Sequence, residues 1–215
     1  PVALDPAFVL APDAVLAAAR ADETGLVILC NPNNPTGGVM APDEIEYIVA
    51  GVRCPVLVDE AYHEFCGQTA LGLLAKYPHM AVVRTFSKAF GLAAARVGFA
   101  LAGRDIIAAI NKAMLPYHLN AFSLVAAETA FQMRAEFQPG VAAIVAERGR
   151  LAAALAAVPG LTVFPSAANF LLVRTARAGD LAAYLAVGGI GVRDFSAAPG
   201  LAGCLRITVG TPAEN

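Results

Sequence analysis

Thr85-Phe86-Ser87-Lys88-Ala89-Phe90-Gly91-Leu92, followed by Arg96-Val97-Gly98, is the stretch that decides how this chain folds. The apolar run Ala81-Val82-Val83 leads into it as a buried strand, and the Ser/Gly-bounded segment beyond reads as a turn. A lysine at the end of a buried strand is costly unless it has a task. Two tasks fit: a point charge for phosphate, or a desolvated amine that forms a Schiff base. Two further polar clusters follow apolar runs in the same way. They are Asn31-Pro32-Asn33-Asn34-Pro35-Thr36-Gly37-Gly38 and Asp59-Glu60-Ala61-Tyr62. Three polar clusters at three strand ends point to one crevice at the edge of a parallel sheet.

Outward from these clusters, strands and helices alternate. Segments 26–30, 56–58, 81–85 and 97–101 have the length and branching of strands. Segments 12–21 and 42–51 read as helices, each opened by proline and acidic residues. Segments 104–114 and 123–133 read as helices with a break at Pro116, and 141–158 as a long helix closed by Pro159-Gly160. Short strands are expected around 161–163, 170–173 and 205–209, with a helix over 180–187. The pattern gives an α/β fold with a mostly parallel sheet in a large domain, residues 1–139, and a small α+β domain, residues 140–215.

Composition narrows the class. With 58% hydrophobic and 15% charged residues in 215 positions, a large core is available. The net charge of −2 and the lack of a basic run argue against a nucleic-acid surface. Cys30, Cys54, Cys66 and Cys204 form no CxxC pair, so zinc and disulfide frameworks are not expected and a reducing cytoplasm is the default compartment. Pro1-Val2-Ala3-Leu4-Asp5 lacks the basic and apolar regions of a signal peptide. A mean hydropathy of +0.62 raises the question of a membrane span. The longest uncharged stretch, 151–173, is cut by Pro159-Gly160 and Pro165-Ser166, so no span is expected. No Walker loop, GxGxxG, SxxK or GxSxG occurs, and His63 with Cys66 is too little for a metal site. His63, His79 and His118 read as structural, His118 being a candidate for a subunit interface.

At these residues the chain resembles the fold-type I, class I/II aminotransferases that use pyridoxal 5'-phosphate. The resemblance rests on NPNNPTG (31–37), DEAY (59–62), FSKAFG (86–91) with Arg96, and LRITVG (205–210). Within that family, DEAYHEF (59–65), TFSKAFGL (85–92), SAANFLLVR (166–174), GVRDF (191–195) and CLRITVGTPAEN (204–215) are most similar to the histidinol-phosphate aminotransferases. Ala94-Ala95 departs from the Gly-Leu more usual before the arginine. The resemblance also implies an N-terminal truncation. The family's early strands, its phosphate-binding glycine loop, its ring-stacking aromatic and its N-terminal arm have no counterpart here. Deficient activity of the chain alone, exposed apolar faces and an open sheet edge are therefore expected.

The cofactor must have its phosphate held, its ring nitrogen kept protonated and a lysine presented to its reactive carbon. The resemblance gives the lysine role to Lys88 and the ring-nitrogen carboxylate to Asp59. Tyr62 and Asn34 are implied at the cofactor's hydroxyl oxygen, with a cis Asn34-Pro35 peptide aiming Asn34. Ser87 and Arg96 are the phosphate candidates, a short donor and a planar fork. Arg206 interrupts the apolar strand Leu205-Arg206-Ile207-Thr208-Val209, and a buried arginine needs an anion, either a substrate carboxylate or a structural partner. Asn169 is expected beside it. Arg193 has two readings, a distal substrate phosphate or an ion pair with Asp194.

The implied function is transamination between L-histidinol phosphate and 2-oxoglutarate, in a cytoplasmic homodimer when full length. Its small-molecule partners are an amino donor and a 2-oxo acid, with no metal, nucleic acid or membrane. Rival readings are an aromatic amino-acid aminotransferase, a phosphothreonine decarboxylase and a non-catalytic aminotransferase-like sensor domain.

Overall fold

The computed structural model describes residues 1–20 and 24–215. The first helix, α1 (Pro12–Ala19), ends earlier than expected; its expected last residue, Ala21, lies outside the described residues. Strand β1 (Val27–Cys30) leads through α2 (Pro42–Gly51) to β2 (Val56–Asp59). The turn α3 (His63–Cys66) then leads to β3 (Met80–Thr85), and β4 (Gly98–Ala102) returns beside it. The order is β1-β2-β3-β4, with β1, β2 and β3 parallel and β4 antiparallel to β3. Each parallel strand therefore delivers its C-terminal end to the same edge, and those ends are Cys30, Asp59 and Thr85.

Local chemistry explains the layering. In α2, Pro42 fits the first turn, where no N–H is needed, and Glu44 accepts from the Ala41 N–H at 2.7 Å. Its Ile45, Ile48 and Val49 recur on one face and are buried against Val15 and Leu16 of α1 and the strand residues Val27, Leu29, Val56, Val58, Met80 and Val82. The outward face of β1 is uncovered, with Ile28 58% exposed, and β1 and β4 are unpaired sheet edges among the described residues.

Two helices follow, α4 (Arg104–Ala113) and α5 (Ala121–Gln132). Asn120 caps α5 by accepting from the Ser123 N–H at 2.9 Å, which starts the helix earlier than its apolar pattern. The next helix, α6 (Arg134–Ala156), corrects the sequence reading. It starts well before residue 141 and carries Pro139 inside it, so the expected boundary at Pro139-Gly140 falls within a helix rather than a loop. Pro139 sits early in α6 and withholds one backbone bond from the Ala135 carbonyl, an exposed position that solvent can satisfy.

Beyond α6 lie β5 (Thr162–Val163), β6 (Phe170–Arg174), α7 (Ala178–Val187), β7 (Arg193–Asp194) and β8 (Cys204–Thr208). They form an antiparallel sheet of order β5-β6-β8-β7. No described helix is long and apolar enough to cross a membrane.

A buried ion pair ties β2 to β3. Glu60 is 1% exposed and takes two bonds from Arg84, from Nε at 3.0 Å and from a terminal nitrogen at 2.8 Å. The Thr69 hydroxyl and the Ala70 N–H complete its shell at 2.9 and 2.6 Å. Removing one partner leaves a buried charge alone, so Glu60→Ala is expected to cost about 3–5 kcal/mol in denaturant unfolding. Arg177→Ala, which breaks the exposed Arg177–Asp180 pair, is expected to leave the same midpoint unchanged.

Candidate active site

The C-terminal ends of β2 and β3 frame a cleft of about 370 Å³ lined by Asp59, Ala61, Thr85, Ser87, Lys88 and Arg96, together with Val83, Arg84 and Ala93. Asp59 ends β2 and accepts from the Ala61 N–H at 2.9 Å, which turns the chain away and leaves the carboxylate at the strand tip. After β3, Thr85 Oγ1 lies 2.9 Å from Ser87 Oγ and accepts from the Ser87 N–H at 3.1 Å. This local bond shapes the turn and presents Lys88 at its crest. Lys88 is exposed, with Nζ 5.6 Å from the centre of the Tyr62 ring. The desolvated amine allowed by the sequence is therefore not what this structure holds; the amine stands at an open mouth.

Arg96 adopts the left-handed backbone conformation at φ 56° and stops the short turn Ala93–Ala95. A non-glycine residue there carries a strain of about 1–2 kcal/mol and persists where its surroundings fix it. The Arg96 side chain lines the cleft together with Ser87 and donates to the Ala93 carbonyl at 3.1 Å.

The second sheet meets the Asn/Pro loop and Tyr62. Arg206 of β8 donates to Asn34 Oδ1 at 2.7 Å, joining the small sheet to the Asn/Pro loop. Its guanidinium lies over the rings of Phe170 at 5.1 Å and Phe195 at 5.7 Å, and its buried Nε has no partner. Tyr62 is buried and meets Phe170 edge to face at 5.2 Å. Asn169 is half-buried next to Phe170, and its carbonyl accepts from the Val209 N–H at 2.9 Å. Arg193 lies directly opposite Arg206 in the β7–β8 register, so the two arginines share one face of the sheet. Asp194 accepts instead from the Ser196 N–H at 2.7 Å, and no Arg193–Asp194 ion pair occurs among the described residues.

Both Asn31-Pro32 and Asn34-Pro35 are cis, one more than the sequence reading held. Gly37 is required where it stands: its φ is 78°, and an added Cβ would collide with the Ser166 side chain. Its carbonyl accepts from the Ala167 N–H at 2.8 Å, which seats the loop carrying Asn34 on the loop carrying Asn169.

Burial pushes the Tyr62 phenol above the ordinary tyrosine range; Arg206 pulls against this, and Asp59 and Cys30 add to it. Tyr62 therefore stays protonated at neutral pH and can donate. Cys30 pairs in register with Asp59, and burial followed by the Asp59 charge pushes its thiol up as well. Sequence reasoning missed Cys30, Arg84 and Phe170 as neighbours of the site; the strand register alone would have found Cys30. No group of residues suited to a metal ion occurs among those described.

The family model described as aminotransferase class I and II matches residues 3–215. The chain is 43% identical over 210 residues to the histidinol-phosphate aminotransferase of Roseiflexus castenholzii, covering 94% of this chain and 56% of that protein. It is 37% identical over 209 residues to the protein of the same name from Ruminiclostridium cellulolyticum, covering 97% and 58%. A crystal structure of histidinol-phosphate aminotransferase from Sinorhizobium meliloti, in complex with pyridoxal-5'-phosphate, superposes with a TM-score of 0.86 at 29% identity, covering 95% of this chain and 58% of that one. The chain thus spans a little over half the length of these relatives.

Two outcomes test this geometry. Gly37→Ala is expected to lose at least about 1–2 kcal/mol in unfolding, since Ala must adopt the left-handed region and displace Ser166. The second concerns alkaline pH. A phenol whose folded pKa is raised contributes stability that is fully present below its unfolded value, about 10, and is lost as pH rises through the folded value. Tyr62→Phe is therefore expected to flatten the alkaline limb of the stability-against-pH curve above about pH 10, read by denaturant unfolding.

Proposed function

The chain belongs to the aminotransferase class I and II family, and on that premise we propose pyridoxal 5'-phosphate-dependent transfer of the amino group of L-histidinol phosphate to 2-oxoglutarate. The observation that carries this reading is Tyr62: the Lys88 amine lies 5.6 Å from its ring, and the charges of Asp59 from the cleft and of Arg206 from the second sheet both bear on its phenol.

The donor set fits the cofactor. A cleft of about 370 Å³ is of the size that takes a small ligand. Arg96 and Ser87 would hold the phosphate, by a planar fork and a hydroxyl. Asp59 would keep the ring nitrogen protonated. Tyr62, protonated at neutral pH, and Asn34 would meet the hydroxyl oxygen of the ring. When bound, the cofactor supplies an electron sink for the charge left as the α-proton departs.

The chain's own residues then do the following. Lys88 anchors the cofactor and, once released, takes and returns the substrate proton; its exposed amine has the freedom to swing between these positions. Arg206 binds the carboxylate of the 2-oxo acid in one half-reaction and the donor's phosphate in the other. Arg193, opposite it in register, adds the second positive group that a phosphate dianion calls for. Asn169 borders the same space.

A division into a cofactor-binding large domain and a small domain belongs to this reading, with α6 as the connection between the sheets. A homodimer is supported by the apolar groups left bare around α5, where Tyr117 is 99% and Phe122 89% exposed. A cytoplasmic setting accords with four free cysteines.

The test uses the full reading frame that carries this chain. Borohydride reduction of the cofactor-loaded protein, followed by peptide mapping, is expected to place the pyridoxyl group on Lys88. An adduct on Lys76 or Lys112 would overturn the assignment. With a panel of amino donors, histidinol phosphate is expected to outrun phenylalanine and O-phosphothreonine. Arg193→Ala is expected to lower kcat/KM for the phosphorylated donor by about tenfold or more, in line with a lost charge-assisted contact, while sparing the half-reaction with glutamate.

A further inference from the structure

We infer that Arg148 is a positioning residue that holds Tyr62 and the Phe170–Arg206 stack in one fixed relation. The inference rests on the reading that Tyr62 and Arg206 serve a single site. It starts from a helix face. On α6, Val141, Ile144 and Val145 pack against Tyr62, Phe65, Ala168 and Phe170, and Arg148 follows at the next helical step. One terminal nitrogen of Arg148 donates to two carbonyls, Ala168 at 2.7 Å and Phe65 at 3.4 Å. Those carbonyls belong to different sheets' loops. Phe65 lies in the turn that begins at Tyr62, whose carbonyl accepts from the Phe65 N–H at 3.1 Å. Ala168 is fully buried and immediately precedes Asn169 and Phe170.

No carboxylate pairs with Arg148 among the described ion pairs. Its charge is satisfied by peptide carbonyls, and burial lowers its proton affinity. A half-buried cation held only by backbone is expensive as mere surface decoration. It makes sense as a stitch: two hydrogens of one planar group fix the spacing of two loops, in a geometry that a flexible ammonium does not impose. Through those loops the stitch governs the 5.2 Å edge-to-face contact of Tyr62 with Phe170, and Phe170 in turn carries the Arg206 guanidinium. Arg148 does not line the cleft, and among the described residues its hydrogen bonds go to Phe65 and Ala168 rather than to a residue assigned to the chemistry, so its effect passes through position.

The experiment compares Arg148→Met and Arg148→Gln with the parent in the full reading frame. The first readout needs no cofactor: ultraviolet difference titration of the tyrosines, with Tyr62→Phe identifying the Tyr62 step. The phenol is faced by Lys88, Arg206, Asp59 and Cys30, none of which is altered. Loosening the Tyr62–Phe170 contact hydrates the phenol, so its ionisation is expected to move down by about half a pH unit or more. The second readout is kinetic: KM for the amino donor is expected to rise about tenfold, with kcat changed less. A lower melting temperature with an unmoved Tyr62 titration and an unmoved KM would mean a purely structural role and overturn the inference. If Arg148→Met fails to fold, Arg148→Gln decides by the same comparison. Should the parent bind no pyridoxal phosphate, the functional reading fails while the Tyr62 titration still judges Arg148.

Discussion

The Glu60–Arg84 ion pair is the constraint on which the rest of this molecule depends. Taking both charges out of water costs several kcal/mol, and their attraction returns that cost only in good geometry. Here the geometry is complete: Arg84 donates twice to the carboxylate, and Thr69 and Ala70 fill its remaining positions. Such a pair adds little to stability over an apolar equivalent, but it tolerates no slip. A one-residue shift of β2 against β3 would leave a buried charge unpaired and turn every strand side chain to the opposite face. Glu60 directly follows Asp59, and Arg84 is the penultimate residue of β3, just ahead of the turn that bears Lys88. The pair therefore locks the acid and the amine of the cleft into one register.

A second joint governs how the two sheets meet. The loop from Ser166 to Phe170 bonds the Asn/Pro loop through Ala167 and Gly37, takes the β8 end through Asn169 and Val209, and packs Phe170 on Tyr62. Short, local polar bonds of this kind are weak singly. Converging on one loop from several elements, they leave it no alternative arrangement. Arg206 then reaches Asn34 because the strand carrying it pairs with β6, which starts at that loop.

The strand ends were legible in the sequence because each is an unbroken branched run followed at once by polar residues. Asp59, Lys88 and Asn34 could be placed on that pattern alone, and the resemblance supplied their roles. What was not legible has physical causes. Glu60 bonds Arg84 across 24 positions, and Arg148 bonds Phe65 across 83; no local pattern encodes pairing at such range. Pro139 reads as a break because proline lacks an N–H, yet an exposed early position in α6 lets solvent absorb the missing bond. Strand β7 has only two residues and is defined by its partner β8 rather than by its own propensity. Of the two tasks the sequence left open for Lys88, one assumed a desolvated amine, but a strand's burial says nothing about the crest of the turn beyond it.

The distribution of charge gives the site its polarity. The chain as a whole carries −2, yet the cleft sets Lys88 and Arg96 beside Asp59, and Arg193 and Arg206 stand side by side on the second sheet. Arg84 also lines the cleft, but its charge is already spent on Glu60. Ser87 and Arg96 line the cleft with Lys88 and Asp59, while Arg193 and Arg206 pair across the β7–β8 register of the second sheet. Tyr62 links the two: the Lys88 amine lies 5.6 Å from its ring, and the Arg206 and Asp59 charges both bear on its phenol. Fields in a cleft with low-dielectric walls concentrate anions locally whatever the net charge. A phosphate held by Lys88, the other task open to it from its sequence context, would share the cleft with the opposing Asp59 carboxylate. On electrostatic grounds the arginines are the better partners for an anion, which favours the chemical task for Lys88 over a phosphate contact.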